Sequence, residues 1–564
     1  MYDPAMSRST NPTLLELAPM AAPPRTYGEI FTRRWVVDTI LDLVHYAPED
    51  DLGARRILEP ACGTGAFLGP IVERLLRSAA IHGRDPATLA DAIRAYDLRP
   101  ENVEVSRALC ANLLGQSGVP EDQAARLAHT WVQTADFLLL PILEPGPSDY
   151  AVGNPPYIRY DDLDPDVAAK YRRAWPTMRG RGDIYVGFIE RCLRNLRPGG
   201  RLGFICADRW MRNNYGAGLR KLVAGDYAVE AVWTMHDVDA FENEVSAYPA
   251  ITVIAAAPQG RAVVADTTTE FGPGSAAALT KWTLADDDTT VFEDVGVRAH
   301  RLDGWFRGED MWPTGSPARV ALIEHLGYLP PLEDPTTGTR VSIGIATGAD
   351  KVYVTRDPDL VEPDRLLPLA MRRDLMTGYF SWGGNYLVNP WREDGSLVDL
   401  ADCPRLAAYL TGHPELRKRH VAKKSPASWY RTIDKVNASI INRPKLLLQD
   451  MKTTIHPVLE PGGHYPHHNL YYIVSDSWDM EVLGGLLLSR IAQAFIEAFC
   501  VRMRGGTLRF QAQYLRKIRV PAQESIPGDV AEALRQAFRA RDVDAATQAA
   551  AEAYGISPTE FDLV

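Results

Sequence analysis

The sequence predicts an α/β fold in which a Rossmann-like domain is followed by a second, mixed α/β domain. Three observations predict it: short apolar runs alternate with helical patterns, a glycine turn follows the first apolar run, and a more basic region comes later. A chain of 564 residues is long enough for two or three domains. The predicted organisation is a flexible tail at 1–25, the catalytic domain at 26–258, a linker or small β insert at 259–330, the second domain at 331–525 and a helical segment at 526–564.

The first predicted strand ends in the glycine turn 59–65, Glu-Pro-Ala-Cys-Gly-Thr-Gly. Gly63 and Gly65 permit positive φ angles and let the backbone approach a ligand closely. Leu68 stands where a dinucleotide-binding fingerprint has its third small residue. Since the Glu59 carboxylate would repel a pyrophosphate, a cationic or hydroxyl-bearing ligand fits better, and S-adenosylmethionine carries a sulfonium and an amino group. Pro60 and Ala61 complete the predicted contact.

Two further predicted strands end in acidic residues. Asp97 closes the run 92–97 and is placed to accept hydrogen bonds from ribose hydroxyls, as in nucleotide-binding sheets. Asp136 and Phe137 offer a carboxylate for an adenine amino group and a ring for its face. The long gap between Glu59 and Asp97 predicts one or two extra helical turns at about 86–91.

The segment Asn154-Pro155-Pro156-Tyr157 ends another apolar run. Two prolines fix the backbone and remove two N–H donors, which leaves the Asn154 side-chain oxygen and the Pro155 carbonyl as acceptors beside an aromatic ring. Acceptors beside a flat ring suit a planar NH2 group on a flat substrate. The alternative is an ordinary Pro-Pro turn with a packing tyrosine, and the ordered set of motifs argues against it.

Together these motifs resemble the N6-adenine DNA methyltransferases of the gamma motif order, the TaqI-type and type IIG restriction-modification methylases. The family's amino-terminal cofactor motif is matched at 27–32 and implies a cofactor contact for Thr32, although Arg33-Arg34 replace the usual proline. The resemblance implies a class I S-adenosylmethionine-dependent methyltransferase domain followed by a target-recognition domain. It also implies that Asn154 to Tyr157 act on an adenine extruded from the duplex, with Tyr248 as a second wall of the base pocket.

The charge pattern agrees with a DNA partner. The net charge is −11, yet residues 401–520 hold 18 Lys and Arg against 9 Asp and Glu. Phosphate attraction depends on charge at the docking face, so an acidic remainder does not exclude DNA. The predicted double-stranded DNA contacts are Arg417, Lys418, Arg419, Lys423, Lys424, Arg504 and Arg509, and the alternative for the first five is a solvated helix face.

Several other classes of function are disfavoured. No apolar run approaches the length of a membrane span, and residues 1–24 lack the apolar region of a signal peptide. Six scattered cysteines without a CxxC pair argue for reduced thiols in a bacterial cytoplasm, where we expect the enzyme at the nucleoid. No metal is predicted, since His464, His467 and His468 have no Cys or acidic partner at fixed spacing.

The sequence therefore predicts a monomeric, site-specific DNA methyltransferase that uses S-adenosylmethionine. A separate restriction endonuclease or defence subunit is a possible partner, because no fused nuclease motif is present. Two alternatives remain. One is a methyltransferase of RNA or of a protein glutamine amide, since such enzymes also carry Asn-Pro-Pro-Tyr. The other is a DNA-binding subunit that needs a partner for activity.

Overall fold

The computed structural model describes residues 31–563 apart from 142–143, 145, 180–181, 243–247, 287, 314, 501–507 and 560. The predicted tail and residues 27–30 of the amino-terminal motif lie outside this range.

The catalytic region is built on one ten-stranded sheet. Its strands are β1 Ile57–Glu59, β2 Ile93–Asp97, β3 Val132–Thr134, β4 Ser148–Gly153, β5 Leu196–Ala207, β6 Ala228–Thr234, β7 Pro249–Ala255, β8 Ala262–Thr267, β9 Val291–Asp294 and β10 Val297–Leu302. The order is β3-β2-β1-β4-β5-β7-β6-β8-β10-β9. The five neighbouring strands β3, β2, β1, β4 and β5 pair in parallel, so their carboxyl ends meet at one edge of the sheet. Ligands bind at this edge in open α/β sheets.

Helices cover both faces of this sheet. They are α1 Arg34–Leu43, α2 Leu68–His82, α3 Pro100–Gln116, α4 Glu121–Trp131, α5 Pro165–Ala174, α6 Tyr185–Arg194, α7 Ala217–Asp226, α8 Pro273–Leu284 and α9 Pro317–His325. Apolar residues of α1 to α4 and α8 share one core, and those of α6, α7 and α9 share another. Between β1 and β2, where we expected one or two helical turns, the chain has a 3-10 turn at Pro86–Thr88.

The sheet runs past residue 258, where we expected the catalytic domain to end. Strand β8 pairs in parallel with β6, β10 pairs antiparallel with β8, and β9 pairs antiparallel with β10. The range 262–302 is therefore part of the central sheet and not a linker or a separate insert. Turn-rich segments indicate where strands end but not which strand they join, and pairing with β8 satisfies the backbone edge of β6.

The region after the sheet contains short strands and helices. The strands are β11 Arg340–Ile343, β12 Val354–Thr355, β13 Leu366–Ala370, β14 Tyr386–Val388, β15 Lys445–Gln449, β16 Met451–Lys452, β17 Val458–Glu460, β18 Tyr465–Pro466, β19 Leu470–Val474 and β20 Leu508–Arg509. The helices are α10 Asp350–Tyr353, α11 Pro404–Thr411, α12 His420–Lys424, α13 Met480–Leu488, α14 Arg490–Phe499, α15 Ala512–Leu515, α16 Gly528–Ala540 and α17 Val543–Tyr554. Two four-stranded sheets, β11-β19-β15-β17 and β12-β14-β13-β18, organise it.

The last two helices pack onto this region and the end of the chain returns to the central sheet. At Gly484 of α13 a Cβ atom would lie 2.5 Å from the Phe538 ring of α16, so only glycine allows this approach. Further along, Arg298 of β10 donates from Nη2 to Asp562 Oδ1 at 3.1 Å, and Phe561 lies 5.7 Å from the ring of His325. The core beneath α6, α7 and α9 continues without a break into α13, α14, α16 and α17.

In the part of the chain that the structure describes, no single helix has both the length and the apolar composition needed to cross a membrane. Helices α13 and α14 satisfy that test only when taken together, and they are bent by 64°.

Candidate active site at the carboxyl edge of the sheet

The carboxyl ends of β1, β2, β3 and β4 surround a cavity of about 310 Å³. Residues from each predicted motif line it. Four of the motifs stand at the carboxyl ends of parallel strands, and Thr32 reaches the cavity from the segment before α1. Those residues are Thr32, Glu59, Pro60, Ala61, Gly63, Asp97, Asp136, Phe137, Asn154 and Pro156. Gly65, Pro155, Tyr157 and Tyr248 do not line it.

Glu59, at the end of β1, has a buried carboxyl group with too few hydrogen-bond partners among the described residues. It is 2% exposed, and its Oε2 atom has no hydrogen-bond partner among the described residues. Burial, with a smaller contribution from Asp97, raises the pKa of Glu59 well above its ordinary value. A buried carboxyl that faces a cavity is suited to a cationic or hydroxyl-bearing ligand, because such a ligand offsets the cost of ionising it.

The two glycines of the turn have different roles. Gly63 has φ +53°, and a Cβ added there would meet no protein atom within 4 Å, so its backbone is open to a ligand. At Gly65, with φ +100°, an added Cβ would lie 2.7 Å from Leu109 of α3. Gly63 therefore belongs to the cavity, whereas Gly65 allows the turn to pack against the next helix.

Asp97, at the end of β2, is held in place by its own neighbourhood. Its Oδ2 accepts from the Gly63 N–H at 2.9 Å, and its Oδ1 accepts from the Arg99 N–H at 2.9 Å and from Asn102 at 3.2 Å. These contacts fix the carboxylate beside the glycine turn. Asp97 and Glu59 thus present two acidic groups to the same cavity from adjacent strands.

Asp136 and Phe137 form the third side of the cavity. Asp136 Oδ1 accepts from the Leu138 N–H at 3.1 Å, and Oδ2 accepts from the Tyr171 hydroxyl at 2.9 Å. Phe137 is buried and stacks on Phe188 with ring centroids 5.5 Å apart. Sequence reasoning missed Tyr171, which lies on α5 and lines the cavity, because no local pattern marks a lone tyrosine on a helix.

Asn154, which follows β4, is oriented by the amino-terminal motif. Its side-chain NH2 donates to Thr32 Oγ1 at 3.2 Å. Thr32 is buried, and its backbone forms an isolated antiparallel β-bridge with Phe241. In this bridge the adjacent Arg33 N–H donates to the Ala240 carbonyl at 3.0 Å. The contact directs the donor end of the amide to Thr32. The structure thus shows Thr32 supporting Asn154, a contact that we had not predicted.

Tyr157 packs beside the cavity and does not line it. Its hydroxyl donates to the Ile205 carbonyl at 3.4 Å, and its ring centroid lies 6.4 Å from that of Tyr185. Burial raises the pKa of Tyr157 well above its ordinary value, which keeps the phenol neutral. The ring is therefore held as a fixed, uncharged surface.

Tyr248 precedes β7 and is 53% exposed. It lines a second cavity of about 810 Å³, where its ring lies 5.0 Å from His236 and 5.9 Å from the Arg209 guanidinium carbon. In the same cavity the half-buried His236 places Nε2 2.9 Å from Oδ2 of the buried Asp208, a pair that sequence reasoning did not identify. The sheet edge thus has one cavity at the ends of β1 to β4 and another beyond β5.

The predicted basic residues divide into internal and external ones. Arg419 donates to the carbonyl oxygens of Thr347, Trp429 and Arg431 at 3.0, 3.0 and 2.7 Å, so it holds loops together. The Arg417 guanidinium lies 3.9 Å above the Trp429 ring. Lys418, Lys423 and Lys424 are exposed. Arg504 lies outside the described residues, as does the side chain of Arg509.

Two histidines have an acidic neighbour that their spacing did not reveal. His467 Nε2 lies 3.1 Å from Asp350 Oδ2, and the ligand-capable atoms of Asp350, His467 and His468 lie within 4.8 Å of one another. His464 Nδ1 lies 2.9 Å from the buried Glu460 Oε1. The chain fold brings Asp350 to His467, whereas Glu460 precedes His464 by only four residues.

The chain is similar to known restriction-modification proteins. The model of the Eco57I restriction-modification methylase family matches residues 114–241. The chain is 42% identical over 549 residues to the Type II methyltransferase M.XhoI of Xanthomonas vasicola, covering 96% of this chain and 99% of that protein. It is 43% identical over 541 residues to the Type II methyltransferase M.PaeR7I of Pseudomonas aeruginosa, with 94% and 92% covered. It is 26% identical over 261 residues to the adenine-specific methyltransferase PglX of Streptomyces coelicolor, with 36% and 21% covered.

Proposed function

The chain belongs to the Type II DNA methyltransferases of restriction-modification systems, and we propose that it methylates N6 of an adenine at one specific DNA sequence. S-adenosylmethionine is the methyl donor and DNA is the substrate. The residues of the site have to account for which atom of the DNA accepts the methyl group. The observation that carries our choice is the Asn154 amide, which Thr32 holds at the edge of the cavity directly before Pro155 and Pro156.

The cavity residues fit the cofactor. Glu59 and Asp97 supply carboxylates for its cationic and hydroxyl groups, and the open backbone at Gly63 allows close approach. We assign Asp136 to the adenine amino group and Phe137, which lines the cavity, to the adenine ring, with Pro60 and Ala61 as further contacts. When bound, S-adenosylmethionine supplies an electrophilic methyl group whose departure leaves a neutral thioether.

Asn154 and Pro155 act on the acceptor. Adenine N6 is conjugated with its ring and is a poor nucleophile. The Asn154 side-chain oxygen and the Pro155 carbonyl accept from the two N–H bonds of N6, which draws the nitrogen toward a tetrahedral geometry. Its lone pair then points to the methyl group, so the residues contribute positioning more than base strength. The proton leaves N6 after transfer.

The state of Cys62 supports an amine acceptor. Methylation at a ring carbon is commonly assisted by a thiolate nucleophile, and Cys62 lines the cavity. Burial, and to a smaller extent the neighbouring carboxyl groups of Glu59 and Asp97, raise the pKa of Cys62 well above its ordinary value. This environment disfavours a thiolate, so Cys62 is suited to packing and not to attack.

The target base has to leave the duplex to reach Asn154. Extrusion costs a few kcal/mol, and stacking on an aromatic ring returns roughly 1–3 kcal/mol. We assign the stacking surface to Tyr157, whose ring is fixed by the core. Tyr248 is our candidate for the opposite wall, because β7 lies two strands from β4, about 10 Å at the usual strand spacing.

We divide the protein into a catalytic domain that extends through β10 and a DNA-specificity domain that begins near residue 331. In the latter, Arg417, Lys418, Lys423, Lys424, Arg504 and Arg509 are assigned to DNA contact. Arg419 supports them from inside the fold. A separately encoded endonuclease is the partner that a Type II methyltransferase requires to act in restriction, and we place the enzyme with the chromosome in the cytoplasm.

Methyl transfer to unmethylated bacterial DNA tests this proposal. Purified enzyme is incubated with radiolabelled S-adenosylmethionine, and modified bases are then mapped by long-read sequencing. We expect label on adenine N6 at one recurring sequence. Asn154→Ala should lower the rate by on the order of 10²- to 10³-fold, as loss of a preorganised hydrogen-bonding group does elsewhere, with cofactor affinity unchanged.

Label on a cytosine amine or on RNA would overturn the choice of acceptor. Cofactor binding without any labelled nucleic acid, restored by cell extract, would identify a partner requirement. Asn154→Ala with wild-type activity would remove Asn154 from the mechanism.

A further inference from the structure

Cations without acidic partners gather in the specificity domain, away from the predicted cluster. Arg372, the pair Lys452 and His456, and Arg541 come from three separate segments, and we call these four residues the basic pocket. Among the described residues none of the four is in an ion pair with a carboxylate. The side chains of Lys452, His456 and Arg541 are half-buried, and Arg372 is exposed.

Arg541 is built into this pocket by an unusual backbone conformation. It ends α16 with φ +60°, in the left-handed region that few residues other than glycine adopt. Its Nη2 donates to the Pro457 carbonyl at 2.6 Å, whereas its buried Nε has no partner among the described residues. A Cβ atom at Gly378 would lie 3.0 Å from His456 Nε2 and 3.5 Å from Arg541 Nε, so these two donors are close together.

The environment of the basic pocket penalises positive charge. Burial, then Arg541 and Lys452, lowers the pKa of His456 to about 4. Burial lowers the pKa of Arg541 to about 10, and burial, Arg541 and Arg372 lower the pKa of Lys452. Partly buried like charges destabilise the fold unless an anion joins them, so the arrangement indicates a binding site for an anion.

The basic pocket lies next to the cleft between the two domains. The Ile455 N–H donates to Gln493 Oε1 of α14 at 2.8 Å. The carboxyl end of α14, Glu497–Phe499, lines the same 810 Å³ cavity as Tyr248. Lys452 itself lies on β16, which pairs with β20. The pocket is thus one helix away from the surface that faces the target base.

We propose that the basic pocket binds a backbone phosphate of the DNA that flanks the target base, and that α16 thereby takes part in DNA binding. This inference rests on the proposed function, because it takes duplex DNA as the ligand. Arg541 and Lys452 supply the charge, and His456 supplies a neutral N–H donor. A phosphate contact of this kind positions the duplex without reading its sequence.

The salt dependence of DNA affinity tests the proposal. Full-length enzyme is titrated against a fluorescent duplex over a range of salt concentrations. Each phosphate that the protein neutralises contributes about 0.9 to the magnitude of the slope of log K against log salt, so the double variant Lys452→Gln/Arg541→Gln, which loses one phosphate contact, should lose about 0.9. If the two lines converge near about 1 M salt, this corresponds to about fivefold weaker binding at about 0.15 M.

The matched control is Arg539→Gln, which removes a charge from the same helix. Arg539 Nε already donates to Glu481 Oε1 at 2.9 Å, so we expect the wild-type slope. With Lys452→Gln retained, Arg541→Lys in place of Arg541→Gln should restore most of the lost slope, which separates charge from folding. Cofactor affinity should be wild-type in all variants.

Equal slopes for the double variant and Arg539→Gln would overturn the proposal even where wild-type enzyme methylates DNA. A double variant that loses affinity for inorganic phosphate but keeps wild-type DNA binding would also overturn it. A reduced slope in the double variant, with a wild-type enzyme that binds DNA but does not methylate it, would support the basic pocket while contradicting the proposed reaction.

Discussion

The edge of the central sheet and the surface of the proposed specificity domain both carry polar residues suited to ligands, but these two sets of residues arise differently. At the sheet edge, Glu59, Asp97 and Asn154 each follow a parallel strand, so their order in the chain already places them together. In the specificity domain, neighbours in sequence are separated in role: Arg419 is internal, whereas Lys418 is exposed. A residue at the end of a parallel strand has a predictable place in the fold. A residue in a run of charged side chains does not.

The largest expected effect lies at the sheet edge. Glu59→Gln should weaken S-adenosylmethionine binding by about a hundredfold, because it removes the buried partner of a cation. The raised pKa of Glu59 means that binding requires loss of a proton, so wild-type affinity should fall as the pH drops below that pKa. Calorimetric titration from about pH 5 to about pH 9 should show this slope in wild type and not in the variant.

The same substitution should stabilise the ligand-free protein. A carboxyl whose pKa is higher in the folded than in the unfolded state destabilises the fold progressively as pH rises through the interval between the two values. Gln carries no such cost, so the unfolding temperature of Glu59→Gln should exceed that of wild type above this interval. Equal cofactor affinity in both proteins would remove Glu59 from the cofactor site.

The next largest effect is expected at Arg419, which the structure places inside the fold and not on the surface. Arg419→Gln should lower the free energy of unfolding by about 2–4 kcal/mol, because several buried carbonyl oxygens lose their donor. The salt slope of DNA binding should be unchanged. Lys418→Gln is the matched control, with less than about 0.5 kcal/mol of destabilisation expected in denaturant titrations. A stable Arg419→Gln with a reduced salt slope would make Arg419 a DNA contact.

A smaller effect distinguishes two roles for Thr32. Thr32→Val removes the acceptor of the Asn154 NH2 group at similar volume. We expect kcat to fall by about fivefold to tenfold, the value of one hydrogen bond, with cofactor affinity preserved. Thr32→Ser retains the hydroxyl and should keep most of the activity. Weaker S-adenosylmethionine binding with unchanged kcat would instead indicate a direct cofactor contact.

The smallest effect is expected at Tyr171. Tyr171→Phe removes the hydroxyl that donates to Asp136, which should weaken cofactor binding by about threefold. Tyr160→Phe is the control, since the Tyr160 hydroxyl makes no hydrogen bond among the described residues. An unchanged dissociation constant for Tyr171→Phe in the same calorimetric assay would show that Asp136 does not need this support.

The sequence was informative where function follows local chain order. The fold class and the four strand-end motifs could be predicted because a parallel sheet places successive strand ends side by side. Contacts between distant segments could not be predicted, and these include Tyr171 with Asp136, Asp350 with His467 and Arg541 with His456. Strands β8 to β10 were missed for the same reason, since pairing partners are set by the finished sheet.

The return of residues 561–563 to the central sheet bears on how new specificities can be engineered. Asp562 is bound to Arg298 of β10, and Phe561 packs by His325 of α9, so these residues belong structurally with the catalytic domain. A chimera that takes its specificity domain from a relative would therefore need two crossover points, one after α9 and one before Phe561. With a single crossover, the last residues of the relative would have to pack against Arg298 and His325 of this protein, a surface that did not evolve together with them.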